Sequence, residues 1–153
     1  MGESAAVFRS AFRALGEFLR NPRLSSFYRT QPRYLEDQPP FLNAAVSGRT
    51  LLDPRQLLAA VQSIESAHGR NRSREVFKGP RTLDIDILLY GDAILSYPEL
   101  VVPHPGLQER LFALVPLLEL APDLADPRTG RPFRDLAAEL PDQGIYLEVE
   151  AGL

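Results

Sequence analysis

Prolines punctuate this chain so often that its helices and strands must be short. The 153 residues include 14 prolines and 10 glycines. Proline bends or ends helices and cannot donate a ladder hydrogen bond inside a sheet, so frequent turns are expected. This pattern argues against a simple helical bundle. It favours an α+β fold built as one domain over residues 1–153.

Composition excludes several classes of protein. The chain has no cysteine, which rules out disulfides and cysteine-ligated metal clusters. No segment approaches the roughly 20 apolar residues of a membrane span, and no leader pattern opens the chain. A net charge of -3 disfavours a general attraction for nucleic acid. We therefore expect a cytoplasmic protein that binds neither membrane nor nucleic acid. A monomer is a separate expectation that composition does not establish.

Hydrophobic periodicity and turn residues predict the elements. The clearest helix begins at Asp53, where Pro54 and Gln56 complete a capping box, and Gly69 ends it. The other predicted helices cover residues 4–20, 107–120 and 132–140, and the predicted strands cover residues 24–29, 41–48, 83–90, 100–102 and 146–149.

The segment from Gly79 to Tyr90 carries the strongest chemical signal. Successive side chains of a strand alternate between its faces, so Asp84 and Asp86 should project together, about 7 Å apart. Two such acids could be magnesium ligands for a phosphate substrate, a general acid and base, or a structural ion pair. Nearby arginines favour the first alternative, because magnesium is typically held by one or two carboxylates and substrate phosphates.

A basic loop precedes the acidic pair. Arg70, Arg72, Arg74, Lys78 and Arg81 stand there against a single acid in an otherwise acidic chain. No glycine-rich phosphate motif of the P-loop or Rossmann type occurs, so arginine side chains must bind any nucleotide phosphates. The alternative is a solvated basic loop.

Two further polar residues have open alternatives. Glu65 lies in the last turns of a helix, where a carboxylate opposes the helix dipole, and it is either a solvated acid or a group that orients an arginine or a ligand. His104 stands between two prolines, either as a hydrogen-bonded turn residue or as a partner of a phosphate. Asn43 with Phe41, Phe77 and Phe112 could form an aromatic slot for a heterocycle, although phenylalanines are ordinarily core residues.

Five segments together resemble the 6-hydroxymethyl-7,8-dihydropterin pyrophosphokinase family of folate biosynthesis. The combination is specific, and the likeness covers nearly the whole chain. The segments are Ser26-Phe27-Tyr28-Arg29-Thr30, Phe41-Leu42-Asn43-Ala44-Ala45-Val46, Gly79 to Leu88, Val102-Pro103-His104-Pro105 and Arg110 to Leu117.

The resemblance implies a ferredoxin-like α+β sandwich, with helices packed on an antiparallel or mixed sheet. It also implies pyrophosphate transfer from ATP to 6-hydroxymethyl-7,8-dihydropterin, assisted by two Mg²⁺ ions. By position, Asp84 and Asp86 are the implied metal ligands, and Arg70 and Arg81 the catalytic arginines. The implied ATP-binding residues are Gln62, Glu65, Arg72, Arg81, Ile87, His104 and Arg110. The implied pterin-binding residues are Thr30, Phe41, Asn43, Phe77 and Phe112.

The resemblance also implies one difference. Members of the family begin with an apolar strand and a Gly-Ser-Asn turn, whereas this chain begins Met1-Gly2-Glu3-Ser4. We therefore expect the first strand to be missing from the sequence. The alternative function is then a truncated, catalytically silent module that binds ATP or a partner protein. A ferredoxin-like RNA-binding domain is disfavoured by the acidic charge.

Overall fold

Helices and antiparallel strands together confirm the predicted α+β class. A computed structural model describes residues 2–30, 41–69 and 83–149 of the chain. The helices are α1 (Gly2–Leu15), α2 (Pro54–Ala67), α3 (Leu111–Leu120) and α4 (Phe133–Glu139), with a short 3₁₀ helix at Leu107–Glu109. The strands are β1 (Arg20–Leu24), β2 (Phe27–Thr30), β3 (Phe41–Asn43), β4 (Val46–Arg49), β5 (Leu95–Tyr97), β6 (Leu100–Val102) and β7 (Ile145–Val149).

The chain divides into two compact units. The first contains Met1–Pro22 and Gly48–Ile87, and the second contains Arg23–Ser47 and Leu88–Leu153. Strands β1 and β4 pair with each other, and each runs from one unit into the other. The organisation of residues 1–153 as one domain stays a prediction. No helix among residues 2–30, 41–69 and 83–149 is both long and apolar enough to cross a membrane.

In the first unit, α1 packs against α2. The capping box that was predicted for α2 is confirmed, since Asp53 Oδ1 accepts from Gln56 N at 2.8 Å and Gln56 Oε1 accepts from Asp53 N at 2.9 Å. His68 closes the other end of α2, where its Nδ1 lies 2.8 Å from Ile64 O and its Nε2 lies 2.8 Å from Ser10 Oγ of α1. The buried apolar residues of this unit are Ala11, Leu15, Leu57, Val61, Ile64 and Leu83.

The second unit contains an antiparallel sheet with the order β3-β2-β7 and an antiparallel β5-β6 pair. Thr30 is opposite Phe41 of β3 on one side and Ile145 of β7 on the other. Helix α3 packs against β2 and α4. The core of this second unit centres on Leu107, Leu114 and Phe133, all fully buried.

Two predicted strands are each broken in the middle. The strand predicted over residues 24–29 divides at Ser25 and Ser26, and the one predicted over residues 41–48 divides at Ala44 and Ala45. At these breaks Ser25 N still donates to Ala45 O at 2.9 Å, but side chains bond the other two amides, because Ser25 Oγ accepts from Ala45 N at 2.8 Å and Ser26 N donates to the Glu119 carboxylate. Backbone groups satisfied in this way need no neighbouring strand.

Helix boundaries differ from the predictions in two places. Helix α1 begins at Gly2 and ends at Leu15, whereas the prediction covered residues 4–20. The helix predicted over residues 107–120 is divided at Arg110, whose φ of -117° and ψ of 99° are extended. A β-region residue cannot continue a helix, so the 3₁₀ turn ends there and α3 begins at Leu111.

Candidate active site

The predicted site residues fall into three groups. Arg70, Arg72, Phe77 and Arg81 lie outside the described residues. The first unit holds Gln62, Glu65, Asp84, Asp86 and Ile87, and the second holds Thr30, Phe41, Asn43, His104, Arg110 and Phe112.

Asp84 and Asp86 lie in an extended segment with alternating exposure. Leu83 is buried, Asp84 and Asp86 are exposed, and Ile85 and Ile87 are half-buried. The predicted alternation is therefore present. The prediction of a strand over residues 83–90 is wrong, because these residues do not pair in a sheet. Part of the reason is that the N–H of Ile85 bonds to a side chain instead of a neighbouring strand.

That side chain is Glu65 of α2. Its Oε2 accepts the hydrogen bond from Ile85 N at 2.7 Å, and the residue is only 6% exposed. The solvated-acid alternative is therefore wrong. Glu65 instead binds the backbone N–H of Ile85, which lies between the two aspartates, so helix α2 positions the acidic segment.

The two aspartates suit a magnesium ion that is shared with a phosphate substrate. Among the described residues, no group of three or more acidic or histidine side chains could form a complete protein cage for a metal. Magnesium commonly uses only one or two carboxylates and takes its other ligands from phosphates and water. Asp84 and Asp86 are exposed on either side of the half-buried Ile85, which suits carboxylates that share a metal with a phosphate from solution.

In the second unit, Thr30 and Asn43 are joined across β2 and β3. Asn43 Nδ2 donates to Thr30 Oγ1 at 2.7 Å, and Thr30 itself is buried. This bond fixes the orientation of the amide. It leaves the amide oxygen and the second amide hydrogen available to recognise a polar edge.

Phe41 and Phe112 form the aromatic part of this unit. Their ring centroids are 6.0 Å apart at an interplanar angle of 79°, an edge-to-face contact. Phe41 is 44% exposed, so it is not the core residue that a phenylalanine would ordinarily be. Two of the three predicted slot phenylalanines are therefore in contact, and the third, Phe77, lies outside the described residues.

His104 and Arg110 meet at Gly106. His104 Nδ1 accepts from Gly106 N at 3.1 Å, and His104 N donates to Leu88 O at 2.9 Å. The Arg110 guanidinium is 5.7 Å from the Phe112 ring centroid and lies so close to Gly106 that a Cβ there would be 2.6 Å from Arg110 Nε. Glycine is thus required at position 106 for this placement of Arg110.

Glu119 is a residue that sequence reasoning missed. Its carboxylate accepts from Ser26 N at 3.0 and 3.1 Å, from Ser26 Oγ at 3.0 Å and from Tyr28 Oη at 2.6 Å. Burial opposes ionisation of Glu119, but the bonds from Tyr28 and Ser26 outweigh it and hold its pKa below the usual value. Glu119 thereby ties α3, which carries Phe112, to β2, which carries Thr30. The only sequence signal was the proximity of Ser26 and Tyr28 to Thr30 in one motif.

Replacing Tyr28 with phenylalanine should lower the free energy of unfolding by about 1 kcal/mol at pH 7, because it removes a hydrogen bond to an ionised acceptor at a half-buried site. Burial, followed by the bond to Glu119, raises the pKa of Tyr28 to about 12. Since this folded value exceeds the unfolded value of about 10, the contribution is complete below pH ~10 and is lost as the pH rises towards 12.

Urea unfolding of the wild-type chain and of Tyr28→Phe between pH 7 and 11 measures the difference in their free energies of unfolding. Tyr146→Phe is the matched control, because Tyr146 is 48% exposed and should change stability by less than ~0.5 kcal/mol. Equal stability of the Tyr28 and Tyr146 variants would contradict the role given to Tyr28.

Comparison with known proteins identifies the family. A family model described as 7,8-dihydro-6-hydroxymethylpterin-pyrophosphokinase (HPPK) matches residues 1–122. Proteins named 2-amino-4-hydroxy-6-hydroxymethyldihydropteridine pyrophosphokinase are similar to this chain. The one from Pseudomonas aeruginosa is 44% identical over 137 residues, covering 86% of this chain and 83% of the relative. The one from Methylorubrum extorquens is 44% identical over 147 residues, covering 95% and 90%.

A longer relative matches as well. Folic acid synthesis protein fol1 of Schizosaccharomyces pombe is 46% identical over 131 residues, which cover 86% of this chain but only 18% of fol1. The chain thus spans less than a fifth of fol1. Since the family model covers most of the sequence and near-full-length relatives agree with it, this chain belongs to the 7,8-dihydro-6-hydroxymethylpterin-pyrophosphokinase (HPPK) family.

Proposed function

We propose that this chain transfers a pyrophosphate group from ATP to the hydroxymethyl group of 6-hydroxymethyl-7,8-dihydropterin. The hydroxyl oxygen forms a bond to the β-phosphorus of ATP and loses its proton. The bond between that phosphorus and the oxygen bridging to the α-phosphate breaks. The products are AMP and the pterin diphosphate.

The exposed pair Asp84 and Asp86, fixed through Ile85 by Glu65, is the observation that carries this proposal. It provides two anionic oxygen ligands on a segment whose Ile85 N–H is bonded to the Glu65 carboxylate. Asp84 and Asp86 would hold Mg²⁺, and two ions are expected with ATP. When bound, magnesium supplies positive charge that neutralises the triphosphate.

Arginine side chains neutralise the remaining negative charge on the phosphates. Arg70 and Arg81 stabilise the transferring group, and Arg72 and Arg110 bind phosphate oxygens. His104 is proposed as a hydrogen-bond donor to the nucleotide: because its Nδ1 accepts from Gly106 N, a neutral imidazole carries its proton on Nε2. Gln62, Glu65 and Ile87 complete the nucleotide-binding set.

Residues of β2, β3 and α3 account for pterin recognition. Asn43, oriented by Thr30, hydrogen-bonds the polar edge of the pterin ring. The rings of Phe41 and Phe112 offer an apolar surface, with Phe77 from the basic loop as a further stacking partner. This set has the chemistry that a flat heterocycle with a polar edge requires.

The alternative of a catalytically silent module is not favoured. The matches to proteins named as pyrophosphokinases cover 86% and 95% of this chain, and residues 1–122, which the family model matches, span positions 84 and 86. A silent module retains ATP affinity without turnover, so one experiment distinguishes the two functions.

The direct test is to incubate the purified chain with ATP, Mg²⁺ and the hydroxymethyl-dihydropterin and to quantify the products by chromatography. We expect AMP and pterin diphosphate in equal amounts, with no AMP when either the pterin or Mg²⁺ is omitted. Calorimetric titration with ATP is run in parallel. ATP binding without AMP formation would instead identify the silent module.

A further inference from the structure

Gln143, which precedes β7, makes a two-point contact with the backbone on either side of Arg110. Its Oε1 accepts from Leu111 N at 2.9 Å, and its Nε2 donates to Glu109 O at 3.0 Å. Both groups of one side-chain amide are thus used to hold the residues before and after a single arginine. Gln143 lies beyond the region that the family model matches.

Arg110 stands where a helix normally needs a capping side chain. It is the N-cap residue of α3, and its own side chain makes no capping hydrogen bond. Serine, threonine, aspartate and asparagine are preferred at this position because their oxygens accept from the first turn. Gln143 instead supplies an acceptor to Leu111, the first residue of the helix, from outside the helix. The Arg110 guanidinium has only donors and could not cap this helix itself, so Gln143 supplies the acceptor that Arg110 lacks.

The segment that carries Gln143 continues directly into strand β7 of the sheet. Asp142 Oδ1 accepts from Gly144 N at 2.8 Å, and Gly144 has a φ of 79°, so a tight turn precedes β7. Ile145 then pairs with Thr30 of β2. The same short segment therefore connects the strand that carries Thr30 with the backbone that carries Arg110.

We infer that Gln143 is a positioning residue that sets Arg110 for phosphate binding. By holding both neighbours of Arg110, it fixes the extended backbone at this residue and so places the guanidinium between Gly106 and the Phe112 ring. This inference rests on the proposed function, because it assigns Arg110 to the nucleotide phosphates.

A double-mutant cycle on nucleotide affinity tests the inference. The ligand is the Mg²⁺ complex of α,β-methylene-ATP. A methylene group replaces the oxygen between its α- and β-phosphates, so pyrophosphate cannot be transferred. The Kd of this complex is measured by calorimetry. Gln143→Leu should weaken binding about tenfold, because Arg110 would no longer be held in place before the nucleotide binds and the cost of ordering it would then oppose binding. In an Arg110→Ala background the same substitution should change Kd less than about twofold, because it acts through Arg110.

Gln108→Leu is the matched control. Gln108 lies in the adjacent 3₁₀ helix but donates to Asp126 at 3.1 Å, so its replacement should leave Kd unchanged. Equal losses from Gln143→Leu with and without Arg110 would overturn the inference. So would an unchanged Kd in Gln143→Leu alone.

Amide hydrogen exchange of the wild-type chain provides a second measurement that requires no folded variant. The Leu111 amide should exchange at least about tenfold more slowly than an unpaired amide at the start of a helix. Rapid exchange at Leu111 would also overturn the inference. A wild-type chain that binds nucleotide but forms no AMP would instead contradict the proposed function alone.

Discussion

Replacing Asp84 or Asp86 with asparagine is expected to lower kcat/KM for AMP formation by at least ~10³-fold, equivalent to about 4 kcal/mol of transition-state stabilisation. Asparagine preserves the size of the side chain but removes its negative charge, and Mg²⁺ binds strongly to carboxylate oxygens. The substitution leaves the Ile85 N to Glu65 bond intact, because that bond involves neither aspartate side chain. Steady-state kinetics at several Mg²⁺ concentrations give the measurement.

Asp92→Asn is the control for this pair. Asp92 is also exposed, but it lies in the Gly91-Asp92 turn before β5 and is not among the predicted ligands. Its variant should retain wild-type kinetics. The metal-binding role would be abandoned if either the Asp84 or the Asp86 variant kept kcat/KM within about threefold of wild type, a change too small for the loss of a metal ligand.

Replacing Asp126 with alanine should have the largest effect on stability, lowering the free energy of unfolding by about 3 kcal/mol. Asp126 is 1% exposed, and its carboxylate accepts four hydrogen bonds. Three come from Arg128, through its backbone N and two guanidinium nitrogens, and one comes from Gln108. Alanine leaves all four donors, including the backbone N–H of Arg128, without their acceptor.

The effect of Asp126→Ala should depend on pH. The hydrogen bonds from Arg128, which outweigh burial, hold the pKa of Asp126 below its usual value. A folded pKa below the unfolded value of about 3.9 means that the ionised carboxylate stabilises the fold at neutral pH. That contribution is lost as the pH falls below about 4 and through the folded pKa. The difference from wild type should therefore be smaller at pH 3 than at pH 7.

Urea unfolding at both pH values measures this difference, and Asp123→Ala is the control. Asp123 pairs with Arg134 at 2.9 Å, but its side chain is 89% exposed, so its loss should cost less than about 1 kcal/mol. If the Asp126 variant were no less stable than the Asp123 variant, the buried carboxylate would not organise its loop as described.

Local sequence signals predicted the parts of the fold that depend on neighbouring residues. Helix α2 begins where Asp53, Pro54 and Gln56 predicted, because every group of the capping box lies within four residues. The breaks at Ser25 and Ser26 could not be predicted, since the second depends on Glu119, 93 residues away. Periodicity gives the pattern of exposure but not the partner of a backbone group.

The same distinction applies to the candidate site. Alternation predicted that Asp84 and Asp86 share an exposure pattern, and the described segment confirms it. The burial of Glu65 was not predicted, because its partner Ile85 lies 20 residues later in a different segment. Gln143 carried no signal at all, since a glutamine in a polar loop has no pattern that identifies two backbone partners 32 and 34 residues away.

The bond between Glu65 and Ile85 has a consequence for how this segment can vary. The group that Glu65 binds is a backbone N–H, which every residue except proline possesses. Position 85 can therefore exchange one half-buried apolar side chain for another without loss of the contact. The acceptor at position 65 has no such latitude, because only a side chain of suitable length and polarity reaches that N–H. Apolar substitutions should thus be tolerated at position 85, whereas most substitutions of Glu65 should break the bond.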